Sequence, residues 1–144
     1  MKRHESLAPL SRQHHPALML AQLLKIDAPA YKGMPATAAA KADYAGQLFH
    51  SDLKTHFSKE EAMLEKVIKY HPDIKKLAAQ IVQEHRELSA AFLAIPVSDD
   101  VENALDALGR KLELHIRKEE RVLFPLVEQY SPPEILEDIK ILLQ

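Results

Sequence analysis

Two stretches of the chain carry the same text. Leu53-Lys54-Thr55-His56-Phe57-Ser58-Lys59-Glu60-Glu61 and Leu112-Glu113-Leu114-His115-Ile116-Arg117-Lys118-Glu119-Glu120 both read L-x-x-H-x-x-K-E-E. In each copy a His precedes a Glu by four residues, a separation that stacks the two side chains on one face of a helix. Neutral imidazole together with carboxylate is a donor set for divalent metal ions. A single His-x-x-x-Glu is ordinarily a surface ion pair of small value. Two matched copies that both face a helical core are a different matter, so the elements around them decide the reading.

The periodicity predicts a first helix over Ser6 to Leu24, with Leu7, Leu10, His14, Ala17, Ala21 and Leu24 on one seam. Pro16 within it requires a bend or a helix start nearby. A Pro- and Gly-punctuated loop over Asp27 to Pro35 follows, and Thr37 is a suitable N-cap for a second helix reaching about Tyr70. Its expected inner seam is Ala45, Phe49, Asp52, His56, Glu60, Met63 and Val67. Pro72 suits the first turn of a third helix carrying Leu77, Ile81, His85, Leu88, Phe92 and Ile95. Asp99 or Asp100 can cap a fourth, with the seam Val101, Leu105, Leu108, Leu112, His115, Glu119, Val122 and Leu126 and a kink at Pro125. Ser131-Pro132-Pro133-Glu134 reads as a capping box for a short last helix that uses Ile135, Ile139 and Leu142. The expectation is an all-α, antiparallel up-down four-helix bundle with a short C-terminal helix, as one domain over residues 1–144.

Six polar residues then occupy otherwise apolar seams: His14, His56, Glu60, His85, His115 and Glu119. Each would cost several kcal/mol if buried without a partner, and a common metal site satisfies all of them together. Two octahedral ions offer about twelve positions. Two bridging Glu, four His and a solvent-derived oxygen bridge leave roughly two open, and open positions are the mark of a site for small ligands rather than a structural one. The donor set suits iron first and manganese next, with zinc a further option. His15 competes with His14, since Pro16 could turn the helix locally; His14 keeps the seam and matches His85. His4, His50 and His71 fall off the seams or near helix ends, where solvated or capping roles are expected. Glu61, Glu120, Lys59 and Lys118 are expected to face solvent, and Phe49, Phe57, Phe92 and Phe124 to pack in the core.

With 47% hydrophobic and 28% charged residues, three Gly and a net charge of -2, the composition fits a helical globular protein and offers no basic footprint for nucleic acid. The absence of Cys removes disulfides, thiolate sites and Cys nucleophiles, and suits a reducing cytoplasm. No signal-peptide h-region and no membrane-length apolar run are present, so the expected location is cytoplasmic.

The residues Leu10-Ser11-Arg12-Gln13-His14-His15, His56-x-x-x-Glu60, Gln83-Glu84-His85 and His115-x-x-x-Glu119 with Leu123-Phe124-Pro125 resemble, in order and over nearly the whole chain, a hemerythrin-like (HHE cation-binding) domain. The resemblance implies a non-haem di-iron centre, oxo- or hydroxo-bridged, in a four-helix bundle with those His and Glu residues as ligands. Its members include oxygen carriers, redox and iron sensors, and di-iron proteins that repair iron–sulfur clusters. Oxygen carriers place a second His four residues after the third-helix His, where this chain has Ser89, and use a His and an Asp five apart where it has His115 and Glu119. The chain is closer to the four-His, two-Glu variant. The repair proteins add a Cys-containing module, and this sequence has no Cys. Ferritin-like sites use Glu-x-x-His, with the order reversed and a spacing of three. The expected function is binding or sensing of a small ligand such as O2, NO or peroxide at a di-iron site, with an unidentified redox partner. A di-iron peroxidase or nitric oxide reductase, and a metal-free helical adaptor, are the alternatives.

Overall fold

The computed structural model describes residues 2–144. Among the described residues seven α-helices follow one another: α1 (Ala8–Leu23), α2 (Ala38–Leu48), α3 (Lys54–Val67), α4 (Pro72–Ala94), α5 (Val101–Lys118), α6 (Phe124–Tyr130) and α7 (Pro133–Leu142). No strand occurs among the described residues. Helices α2 and α3 are joined without a break by a π turn at Phe49–Leu53, and α5 and α6 by another at Glu119–Leu123. Each of these pairs is one long rod, so the rods α1, α2–α3, α4 and α5–α6 form the four-helix bundle and α7 is the short terminal helix. Helix α1 packs on α5, α4 lies between α3 and α5, and α7 packs on α3.

The caps account for most starts. Thr37 accepts from the Ala40 N–H, Asp100 from Asn103, and His71 accepts through its ring nitrogen from Asp73, each supplying one acceptor for a helix N-terminus. Pro16 stays inside α1, which runs unbroken past it with the ring exposed. Ser131 is a correction. It ends α6, while α7 begins at Pro133 with Pro132 at its N-cap and no side-chain cap, so the expected capping box does not form.

The two π turns correct the expected seams. In the first, the Lys54 N–H donates to the Phe49 carbonyl, five residues back. One extra residue in that turn brings Leu53 to the inner face and leaves Asp52 exposed. Burying Leu53 is worth about 2 kcal/mol, and Asp52 keeps its hydration. In the second, the Phe124 N–H donates to Glu119, so Leu123 and Val127 are buried where Val122 and Leu126 were expected, and Val122 is exposed. The cause is local: Pro125 has no N–H to continue an α-helical ladder. The Glu120 carbonyl released by the π turn instead accepts from Arg3 Nη2 at 2.8 Å. The last helix is also rotated from expectation, burying Leu136, Ile139 and Leu143, with Ile135 half-buried and Leu142 turned outward.

Two apolar clusters form the core. One gathers Ala17, Leu20, Leu24, Phe49, Phe57, Leu88, Phe92, Leu108 and Leu112 with their neighbours. The other gathers Leu7, Leu10, Met63, Val67, Ile81, Leu123, Phe124 and Ile139 with theirs. Between them, one turn deep on every rod, lies a layer of polar side chains. Close approach of α1 to α5 beside the first cluster rests on Gly109, where an added Cβ would lie 2.6 Å from the Ala21 carbonyl oxygen and 3.0 Å from Leu24 Cβ.

Candidate metal centre

The polar layer consists of His14 from α1, His56 and Glu60 from α3, His85 from α4, His115 from α5, and Glu119 at the start of the second π turn. All six are buried, and both Glu are fully inaccessible. They fall into two sets that share both carboxylates: His14, His56, Glu60 and Glu119, and His85, His115, Glu60 and Glu119. Within each set one donor atom from every residue lies within 4.8 Å of the others. His14 Nε2 stands 3.3 Å from Glu60 Oε2 and 3.2 Å from Glu119 Oε1; His115 Nε2 is 3.2 Å from Glu119 Oε1, and His56 Nε2 is 3.3 Å from Glu60 Oε2.

These are close contacts without hydrogen-bond geometry. His14 Nε2, His56 Nε2, His115 Nε2, Glu60 Oε2 and both Glu119 oxygens are buried with no hydrogen-bond partner. Only His85 Nε2 and Glu60 Oε1, 3.0 Å apart, satisfy one another. An unpaired buried polar group costs about 1–3 kcal/mol, more when charged, so six such atoms pointing at one another describe a cluster built for something placed between them. Both carboxylates are common to the two sets, and two imidazoles stand at either end. Imidazole nitrogens and carboxylate oxygens grouped in this way fit metal cations.

Each imidazole is held from behind through its other nitrogen. His14 Nδ1 donates to Glu120 at 2.9 Å, His56 Nδ1 to Gln13 at 2.6 Å, His85 Nδ1 to Glu61 at 2.8 Å and His115 Nδ1 to Glu84 at 2.7 Å. In the neutral ring, carriage of the proton on Nδ1 leaves Nε2 as the lone-pair donor toward the cluster, and the outer hydrogen bond fixes the ring's orientation. Phe124 stacks on the His14 ring at 5.7 Å and Phe57 on His85 at 4.1 Å, closing the layer with apolar faces.

Electrostatics follow from this packing. Burial alone would lower the His14 imidazole, yet the carboxylates of Glu119, Glu120 and Glu60 outweigh it and push it up to about 12. His115 rises to about 10, burial again being overcome, by Glu119 first and then Glu84. His85 is raised against burial chiefly by Glu60. At Glu60 burial works upward, but the His56 imidazole and the surrounding donors hold the carboxyl well below its ordinary range; Glu119, buried beside Glu60, is raised. The His115 hydrogen bond holds Glu84 down to about 2, against its partial burial, with help from Lys118. Protons on imidazoles balance these carboxylates where no cation is bound, so cation binding at the cluster displaces protons.

All six residues singled out from the sequence meet in this layer. On the first helix His14 is the histidine buried in the layer, while His15 is exposed. His4 caps the chain's first turn through Ser6, His71 caps α4, and His50 is exposed. Three other expectations change, and two further residues join the site. Glu61 and Glu120 do not simply face water but orient His85 and His14; Lys118 is paired with Glu84; and Gln13 and Glu84, one residue before His14 and His85, orient His56 and His115. The signal was present in the two E-E doublets and in Gln13-His14 and Glu84-His85. A neighbour on a helix points about a quarter-turn away, toward the next rod's imidazole.

Residues 6–127 match the model of the hemerythrin HHE cation binding domain. No curated protein and no solved structure matches the chain significantly. No helix among the described residues is long and apolar enough to cross a membrane. The matched span contains every member of the polar layer and ends at Val127, the last buried residue of α6. On that match and the shared His and Glu layer, the chain is a metal-binding helical bundle and belongs to the hemerythrin HHE cation-binding domain family.

Proposed function

We propose that the protein holds two iron ions, one between His14 and His56 and the other between His85 and His115, with Glu60 and Glu119 spanning both, and uses them to bind or sense a small ligand such as O2, NO or peroxide. The observation that carries this reading is the set of six buried donor atoms without hydrogen-bond partners, all facing one centre. Nitrogen-rich donors disfavour calcium and magnesium and suit iron, then manganese or zinc. Such ions supply electrons and open coordination positions.

The chain's own residues do the rest. Gln13, Glu61, Glu84 and Glu120 keep each Nε2 directed inward, and the phenyl rings exclude bulk water. Access is narrow. A pocket of about 240 Å³ beside His56, lined also by Gln13, Pro16, Leu48, Thr55 and Lys59, reaches the layer from one side. A shallower one on the other side is bordered by His85, Glu61 and Ser89. Ser89 adds no imidazole at the position where oxygen carriers have one, which favours a more open centre over simple carriage. As a metal-free adaptor the molecule would keep four imidazoles and two carboxylates in its core, balanced only by protons on the imidazoles, and would bear the cost of burying them for no return.

Anaerobic loading with Fe(II) followed by elemental analysis is expected to give about two irons per chain, and His56→Ala with His115→Ala to abolish loading. Fewer than one metal per chain would sink the proposal. Optical spectra on exposure to oxygen and to nitric oxide then identify the ligand. Catalytic turnover of peroxide or nitric oxide by the reduced form would make the protein an enzyme instead of a binder.

A further inference from the structure

The two halves of the polar layer are related position by position. The α1 pair Gln13-His14 corresponds to Glu84-His85 of α4, and Lys59-Glu60-Glu61 after His56 corresponds to Lys118-Glu119-Glu120 after His115. The outer hydrogen bonds obey the same relation: His14 to Glu120 matches His85 to Glu61, and His56 to Gln13 matches His115 to Glu84. In one place the relation fails chemically. His115 donates to a carboxylate that is itself paired with Lys118, whereas His56 donates to the neutral amide oxygen of Gln13. Lys59, the counterpart of Lys118, borders the pocket beside Gln13 and forms no ion pair among the described residues.

On the reading that the layer holds two ions, we propose that the two positions are inequivalent, with the His85–His115 end taking the first ion and holding it more tightly because both of its imidazoles are backed by carboxylates, while Gln13 leaves the His14–His56 end with only one. A carboxylate accepting the Nδ1 proton pulls it partly from the ring and makes Nε2 a stronger donor; an amide oxygen does this far less. The charge around the layer acts in the same direction. Glu61 pairs with no Lys or Arg among the described residues and leaves its charge at the His85 end. Glu120, at the other end, shares its charge with Arg3 at 3.0 Å and accepts from the Ser11 hydroxyl. Gln13 and Glu84 touch no bridging carboxylate, so they tune the ends separately.

Two ions sharing carboxylates repel, so a two-step isotherm would not by itself locate the first. The test is a titration of 15N-histidine-labelled protein with Zn2+, followed by NMR, with the ring signals assigned by single His variants. One equivalent is expected to shift the Nε2 signals of His85 and His115, and the second those of His14 and His56. Gln13→Glu, whose new charge Lys59 can neutralise, is expected to make both pairs titrate together. Glu84→Gln, which folds without adding a charge, is expected to weaken the first step about tenfold and also level the ends. Simultaneous titration of all four rings in the unaltered protein, prior filling of the His14–His56 end, or an unchanged order in both variants would overturn the inequivalence. A response from none of the four rings at two equivalents would overturn the two-ion reading, and the inequivalence with it.

Discussion

At the scale of single residues, the layer depends on relays that end far from the metal. Arg3 donates to the Glu120 carboxylate and to the Glu120 main-chain carbonyl, and Glu120 in turn orients His14. Glu120→Ala is expected to lower metal affinity by about 10- to 100-fold with helix content unchanged, as outer-partner losses commonly do; equal affinity in a competitive chelator titration would refute the relay. Arg3→Ala should show a smaller loss in the same titration. The six inner residues were legible from seam position alone, because a His or Glu set among Leu and Ala at helical spacing is buried and must find a partner inside the bundle. Their partners were not read, because Glu61, Glu84 and Glu120 look like ordinary solvated charges until the neighbouring rod is in place. Only geometry between helices separates an acid that faces water from one that accepts an imidazole proton.

At the scale of elements, helix positions and most caps could be read directly, whereas the π turns could not. A period of 3.6 places Asp52 and Val122 inward, and an extra residue per turn replaces them with Leu53 and Leu123. Pro125 is a visible cue for the second π turn. The first has no comparable marker and follows from preferring Leu53 to Asp52 in the core. Leu53→Ala is therefore expected to cost about 3 kcal/mol, and Asp52→Ala less than about 0.5 kcal/mol, in urea unfolding; the reverse order would restore the regular register. Gly109→Ala raises helix propensity yet drives a methyl against the Ala21 carbonyl. A net loss of about 1–3 kcal/mol is expected, and a more stable Gly109→Ala protein would show that α1 yields freely. The inner stripe of α7 lies one residue from the sequence expectation because Ile135, Leu136, Leu142 and Leu143 offer two apolar stripes, and packing on α3 selects between them.

At the scale of the whole molecule, the polar layer divides the core into two apolar clusters. A bundle interrupted in this way is less stable than its apolar content suggests until the layer is satisfied. With free metal at about 100 times its dissociation constant, each bound ion contributes about 2.7 kcal/mol, or a rise in Tm of roughly 9 °C for a chain of this size. A calorimetric scan with and without chelator measures it; identical transitions would mean that the layer is satisfied without metal. The bundle architecture was readable at this scale because four amphipathic seams and short connections leave few ways to bury their faces.

The sharing of Glu60 and Glu119 also has a mechanical side. Each set takes three donors from one half of the chain and its fourth from the other: Glu119 joins His14, His56 and Glu60, and Glu60 joins His85, His115 and Glu119. With an ion in each set, as proposed, neither half could let go of its own ion without surrendering a ligand of the other's. Under tension applied at the two ends of the chain, the loaded molecule would resist as a doubly riveted joint. It would part in one step, at the force that breaks both crossed carboxylates together, where the metal-free chain would slip apart rod by rod.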